Sequence, residues 1–131
     1  MKDSTKDFLE LAKEDIENMY IMFNNRKYGM TCYFSQQAIE KYLKAFLSEK
    51  GIFDPKKHKT HNLMILLKEC IKVDNDFKEL EKYPLDKISV YAIELRYNIS
   101  FLKGTNEEDA KEAIEIAEKV REFILKKLNI Q

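Results

Sequence analysis

The residues Pro55-Lys56-Lys57-His58-Lys59-Thr60-His61-Asn62 set three lysines and two histidines directly before an apolar run that begins at Leu63. Lysine side chains beside the free N–H groups of a helix N-terminus make an anion site, with phosphate the natural occupant. The plainer alternative is a solvated basic turn in which Thr60 or Asn62 caps the helix. His58 and His61 are the chain's two histidines, and their spacing would let both rings meet one metal. No Asp, Glu or Cys stands close enough in sequence to complete a tetrahedral set.

Two further clusters carry charge. In Gln36-Gln37-Ala38-Ile39-Glu40-Lys41-Tyr42-Leu43-Lys44-Ala45, the residues Gln37, Lys41 and Lys44 fall along one helical ridge. That ridge is either a phosphate-facing surface or a solvated edge with an ordinary Glu40–Lys44 pair. In Glu94-Leu95-Arg96-Tyr97-Asn98, Arg96 offers a planar fork of donors suited to phosphate or carboxylate. Its alternative role is to cap carbonyls at a helix end or to pair with a Glu. The sequence holds no G-x-x-x-x-G-K phosphate loop, no Glu-x-x-His of a di-iron bundle and no His-Glu-x-x-His. Cys32 and Cys70 are isolated and read as reduced, buried thiols.

These residues need helices to position them. Gly29, Gly51 with Pro55, Pro84 and Gly104 cut the chain into helix-sized pieces. From Ser4 to Asn25, Phe8, Leu11, Ala12, Ile16, Met19, Tyr20 and Phe23 recur at intervals of three and four. Ser4 is the expected N-cap, with Asp7 three residues on. From Tyr28 to Lys50 the apolar stripe is wide, which predicts a central helix touching several neighbours, closed by Gly51. A shorter helix is predicted from about Thr60 to Val73, and a fourth after Pro84 carries Ile88, Tyr91, Ala92 and Leu95 inward. Thr105-x-x-Glu108 reads as a capping box opening a last helix with an Ala110-to-Leu128 stripe. The fold class is therefore all-α: an antiparallel up-and-down bundle of four long helices plus one shorter helix, with residues 1–131 in one domain.

Composition agrees. A chain of 131 residues with 44% hydrophobic side chains can build a core, and three Gly with two Pro supply too few turns for an all-β domain. No run approaches the ~18–20 apolar residues that span a bilayer, and the first residues lack an apolar signal core, so a cytoplasmic protein is expected. The 23 basic and 23 acidic residues cancel, which argues against a broadly basic nucleic-acid binder. The balance is uneven, however. Residues 1–25 carry 3 basic and 6 acidic side chains, residues 26–59 carry 8 and 3, and residues 60–131 carry 12 and 14. One anionic site on the second segment and the loop after it remains open.

Taken together, Gln36-Gln37-Ala38-x-Glu40-Lys41-x-x-Lys44-Ala45, then Lys59-Thr60-His61-Asn62-Leu63, then Arg96-Tyr97 resemble the HEPN domain, the higher eukaryote and prokaryote nucleotide-binding family. Phe8-Leu9 through Asp15 and Tyr28-Gly29 through Phe34 fit the same pattern. The resemblance implies an antiparallel helical bundle, often dimeric, linked to nucleotides or RNA. It also implies a minimal nucleotidyltransferase partner in a toxin–antitoxin-type pair. Ribonuclease members use an Arg followed a few residues later by His, with a polar residue near the Arg, and a dimer joins two such motifs. Arg96 matches that Arg and Asn98 the polar residue, but the window for the His holds Phe101, Leu102 and Lys103. Acid–base cleavage of RNA wants a group titrating near neutrality, which His supplies and Phe or Leu cannot.

The resulting expectation is a nucleotide- or partner-binding HEPN module without the nuclease His. Gln37, Lys41, Lys44, Lys57, His61, Arg96 and Asn98 are its candidate contacts. No cofactor is expected beyond a ligand such as ATP or GTP, with a homodimer, a nucleotidyltransferase and RNA as possible partners. Two alternatives stay open: a metal-independent ribonuclease toxin using Arg96, and a structural dimer without ligand.

Overall fold

The computed structural model describes residues 1–130, and among these every regular element is helical. Helix α1 (Asp3–Asn24) turns sharply through residues 25–27 into α2 (Tyr28–Glu49). Contacts from Ser4 and Thr5 to Ser48 and from Thr5 to Glu49 join the far ends of the two, so they run antiparallel. α2 is the central element: Ala38, Ile39, Leu43, Ala45 and Leu47 are fully buried on several sides of it, as the wide stripe predicts. Gly51 closes it with a positive φ of 74°, a conformation glycine adopts without the Cβ penalty of other residues.

The chain does not turn straight into the next helix. Residues 50–62 run back along α2 as a loop, and only then does α3 (Leu63–Val73) begin. Contacts then ascend together along both helices. His61 meets Gln36 and Glu40, Cys70 meets the Leu43 carbonyl, and Phe77 packs on Phe46 at 4.3 Å. α3 thus runs in the same sense as α2. A 3-10 segment (Asn75–Lys82) follows, then α4 (Leu85–Ser89), α5 (Tyr91–Tyr97) and α6 (Ile99–Gly104), which together descend α2. α7 (Glu107–Lys127) rises beside it. The antiparallel bundle is α1, α2, the α4–α6 arm and α7, with α3 as the shorter extra helix.

The fourth long segment is jointed rather than continuous. Asn98 adopts an extended backbone, and its side chain caps α6 by accepting from the Phe101 N–H. The joint lets the arm follow α2. α6 lies so close that a Cβ on Gly29 would come within 2.4 Å of Leu102 Cδ1. Three end assignments also differ in detail. α1 starts at Asp3 with no side-chain cap, because Ser4 turns to Ser48 instead of capping. α3 is capped by Asn62, whose Oδ1 accepts from the Met64 and Ile65 N–H groups. The capping box of α7 is Asn106 with Asp109, because the Thr105 hydroxyl donates to the Phe101 carbonyl and closes α6. No described helix is long and apolar enough to cross a membrane.

Candidate functional site

The candidate site is a ridge on α2 formed by Tyr33, Gln36, Gln37, Glu40 and Lys44. Residues at intervals of three and four lie on one helical face, so these side chains form a single row. Two partners from elsewhere lie over it. At one end the returning loop places His61, whose Nδ1 lies 2.8 Å from Glu40 Oε1. At the other end α5 places Arg96 over the Tyr33 ring, 4.9 Å from its centroid, and donating to the Tyr33 hydroxyl. Tyr33 and Glu40 are seven residues apart, which is about 10 Å along a helix.

The middle of the ridge is a buried polar chain. Gln37 Nε2 donates to Gln36 Oε1 at 2.6 Å, and Gln36 Nε2 donates to the His61 carbonyl at 2.9 Å. Lys44 Nζ meets Glu40 Oε2 at 2.9 Å. Lys41, beside this chain, is paired with Asp15 of α1. Gln36, Gln37, Glu40 and Asp15 are all buried, so each must be hydrogen-bonded to be tolerated. No buried side-chain nitrogen or oxygen among the described residues lacks a partner. Burial pushes the Asp15 carboxyl above its ordinary range, against the opposing pull of Lys41.

Lys57 lies apart from the ridge. It pairs with Glu69 of α3 at 2.5 Å, where Lys72 and His58 also converge at 3.1 and 3.3 Å. Lys57 and Lys72 hold the Glu69 carboxyl down to about 2. His58 is buried. The Asp54 backbone N–H donates to its Nδ1 at 2.9 Å, which fixes the tautomer with the proton on Nε2 toward Glu69. The two histidines therefore serve different carboxylates. Among the described residues no group of three His, Cys, Asp or Glu side chains is placed to hold a metal.

The α3 N-terminus is also occupied. Leu63 N–H donates to Ser89 Oγ at 2.9 Å, and Asn62 takes the next two N–H groups. Any anion here must be held by side chains. Lys56 and Lys59 are exposed on the loop before it.

Of the seven candidate contacts, Gln37, Lys44 and His61 share the ridge network. Lys41 adjoins it, and Arg96 caps its far end. Asn98 lies beyond Arg96, where Nδ2 donates to Glu94 while Oδ1 caps α6. Of the three positions where a nuclease His would stand, Phe101 and Leu102 are taken by packing and Lys103 is exposed. Phe101 sits against Tyr91, and Leu102 fills the space over Gly29. Sequence reasoning missed Tyr33 as the support of Arg96 and Asp15 as the partner of Lys41. The available signal was register: Tyr33 is one helical step from Gln37, and Asp15 is a lone acid among the inward positions of α1.

The HEPN domain family model matches residues 5–128. The fold is similar to the crystal structure of TT1696 from Thermus thermophilus, with a TM-score of 0.78 and 23% sequence identity over 96% of this chain and 99% of that one. At that identity the likeness speaks for the fold alone. No curated protein matches the chain significantly. With the α2 motif, the histidine loop and the arginine of α5 all inside the matched span, the chain belongs to the HEPN domain family.

Proposed function

We propose that this HEPN domain binds a phosphate-bearing ligand, a nucleotide or the nucleotide-loaded site of a minimal nucleotidyltransferase, and does not cleave RNA. The observation that carries this reading is Arg96. It matches the family arginine, it is exposed, and it meets tyrosines rather than any carboxylate among the described residues. Stacking on Tyr33 holds the guanidinium plane in place while leaving donors for an incoming oxyanion. Phe101 and Leu102 occupy two of the three positions of the nuclease His window with packed side chains and Lys103 the third, so no imidazole stands there, which supports binding over cleavage.

The same arm supplies a surface for a second copy. Val90, Ile93, Tyr97 and Ile99 are exposed along it, with Tyr97 at 82%. Apolar exposure of this kind marks interaction sites. In the proposed cytoplasmic dimer two Arg96 side chains would flank one cleft, as part of a toxin–antitoxin-type pair with the nucleotidyltransferase. ATP or GTP titration by calorimetry tests the ligand. Saturable binding lost in Arg96→Ala supports the reading, and equal binding by the variant contradicts it.

A further inference from the structure

Two of the chain's three glycines answer a need of the backbone. Gly51 closes α2 with a positive φ, and Gly29 lets Leu102 approach. Gly104, the last residue of α6, does neither. Its φ is not left-handed, and a Cβ there would meet no atom within 4 Å. The open space beside it belongs to a groove of about 440 Å³ between the α4–α5 joint and the start of α7. The buried Tyr91, with Phe101 and Val90, makes the walls apolar, and the two rings lie edge to face at 6.1 Å. Lys87 and Asp109 supply the charges. Lys87 is already taken by Glu112 of α7 at 2.7 Å. That hydrogen bond, with the charge of Asp109 behind it, raises the Lys87 pKa above its ordinary value. Asp109 forms no ion pair among the described residues, and only its Oδ2 is engaged, accepting from the Asn106 N–H. Glu107 and Glu108 share the first turn of α7 with it, so this rim is net negative.

We propose that this groove binds a small aromatic amine, its ring against Val90, Tyr91 and Phe101 and its ammonium on Asp109. The site shares no residue with the α2 ridge or Arg96, and the inference goes beyond the reading of both. The volume falls within the range of small-molecule sites, about 300–1,000 Å³. An aromatic ligand extends the edge-to-face packing of Tyr91 and Phe101, which such rings prefer. A cation suits the same walls, because ring faces attract positive charge. The rim selects the sign. An ammonium finds a carboxylate with a free oxygen, whereas a carboxylate would face Asp109 and find the Lys87 ammonium committed to Glu112. Thr105 also lines the groove, but its hydroxyl donates to the Phe101 carbonyl. Gly104 keeps the entrance clear.

The chain has no Trp, so indole fluorescence reports an added ligand alone. The test is anisotropy of tryptamine and of indole-3-acetate titrated with the whole chain. Tryptamine should bind saturably, and the acid about tenfold or more weaker, the worth of one charged hydrogen bond. Gly104→Leu fills open space without touching a packed atom, so it should melt like the wild type and lose tryptamine binding. Asp109→Asn keeps an oxygen for the Asn106 N–H and removes the charge, so the preference for amine over acid should vanish. Arg96→Ala should bind tryptamine as the wild type does, whatever it does to nucleotides. No saturable tryptamine binding at millimolar concentration overturns the inference. So do equal binding of amine and acid by the wild type, undiminished binding by Gly104→Leu, and loss of tryptamine binding in Arg96→Ala.

Discussion

Lys41 and Lys44 on α2 press their ammonium groups against Asp15 and Glu40, while Arg96, over the same ridge, has only tyrosines around it. The difference lies in the partner: buried carboxylates for the lysines, tyrosines for the arginine. α1 and α2 pack along their whole lengths, and the carboxylates that meet the lysines are themselves buried. The α4–α6 arm follows α2 in short jointed helices, and α5 leaves Ile93, Arg96 and Tyr97 to solvent. Charges of the first kind brace the frame, Lys41 with Asp15 between α1 and α2 and Lys44 with Glu40 along α2 itself. A charge of the second kind is available to a ligand. The family motif on α2 is therefore read best as the frame of the site, and the arginine of α5 as its contact.

The sharpest way to break this comparison is at the frame. Glu40→Ala removes the acceptor for Lys44, His61 and Gln36 together, and should cost about 3–5 kcal/mol of unfolding free energy, as for a broken buried ion pair. Denaturant melts measure it. A loss below ~1 kcal/mol would place Glu40 with ordinary surface acids. The cap beyond the ridge should matter less: Asn106→Ala should cost about 1 kcal/mol. Arg96→Ala should cost least, within roughly 0.5–1 kcal/mol for an exposed cation over a ring. A larger loss would move Arg96 into the frame.

Acid sharpens the same contrast on α3. The Glu69 carboxyl is lowered from 4.5 to about 2 by Lys57 and Lys72. A carboxyl depressed in the folded state adds stability that is present above pH 4.5 and is lost as pH falls toward about 2. Glu69→Gln should flatten the stability profile across that window. An unchanged profile would show that these exposed lysines are screened.

Much of the fold was legible because helix periods and the few Gly and Pro residues coincide. The α2 stripe predicted its central place, and Gly51 its end. The direction of α3 was not legible, since nothing in Lys50–Asn62 says that the loop retraces α2 before the helix begins. For the same reason the sequence suggested a free helix N-terminus before Leu63, whereas Ser89, 26 residues away, fills it. At α3 Asn62 prevailed over Thr60, both of which the sequence offered, whereas at α7 the expected Thr105 gave way to Asn106. The pairing of Lys41 with Asp15 depends on how α1 is rotated against α2, which periodicity constrains only loosely. Arg96 stood out by type and spacing, but its support by Tyr33 came only with the jointed arm.

The claim that Arg96 is a ligand contact and not a frame residue is tested most directly by calorimetric titration of ATP and GTP into the wild-type chain and Arg96→Ala, with total RNA incubated alongside in EDTA. The account predicts saturable nucleotide binding, weakened about tenfold or more in a variant that melts like the wild type, and intact RNA in both samples. Equal nucleotide binding by the two chains, or RNA cleavage that disappears with Arg96, would contradict it.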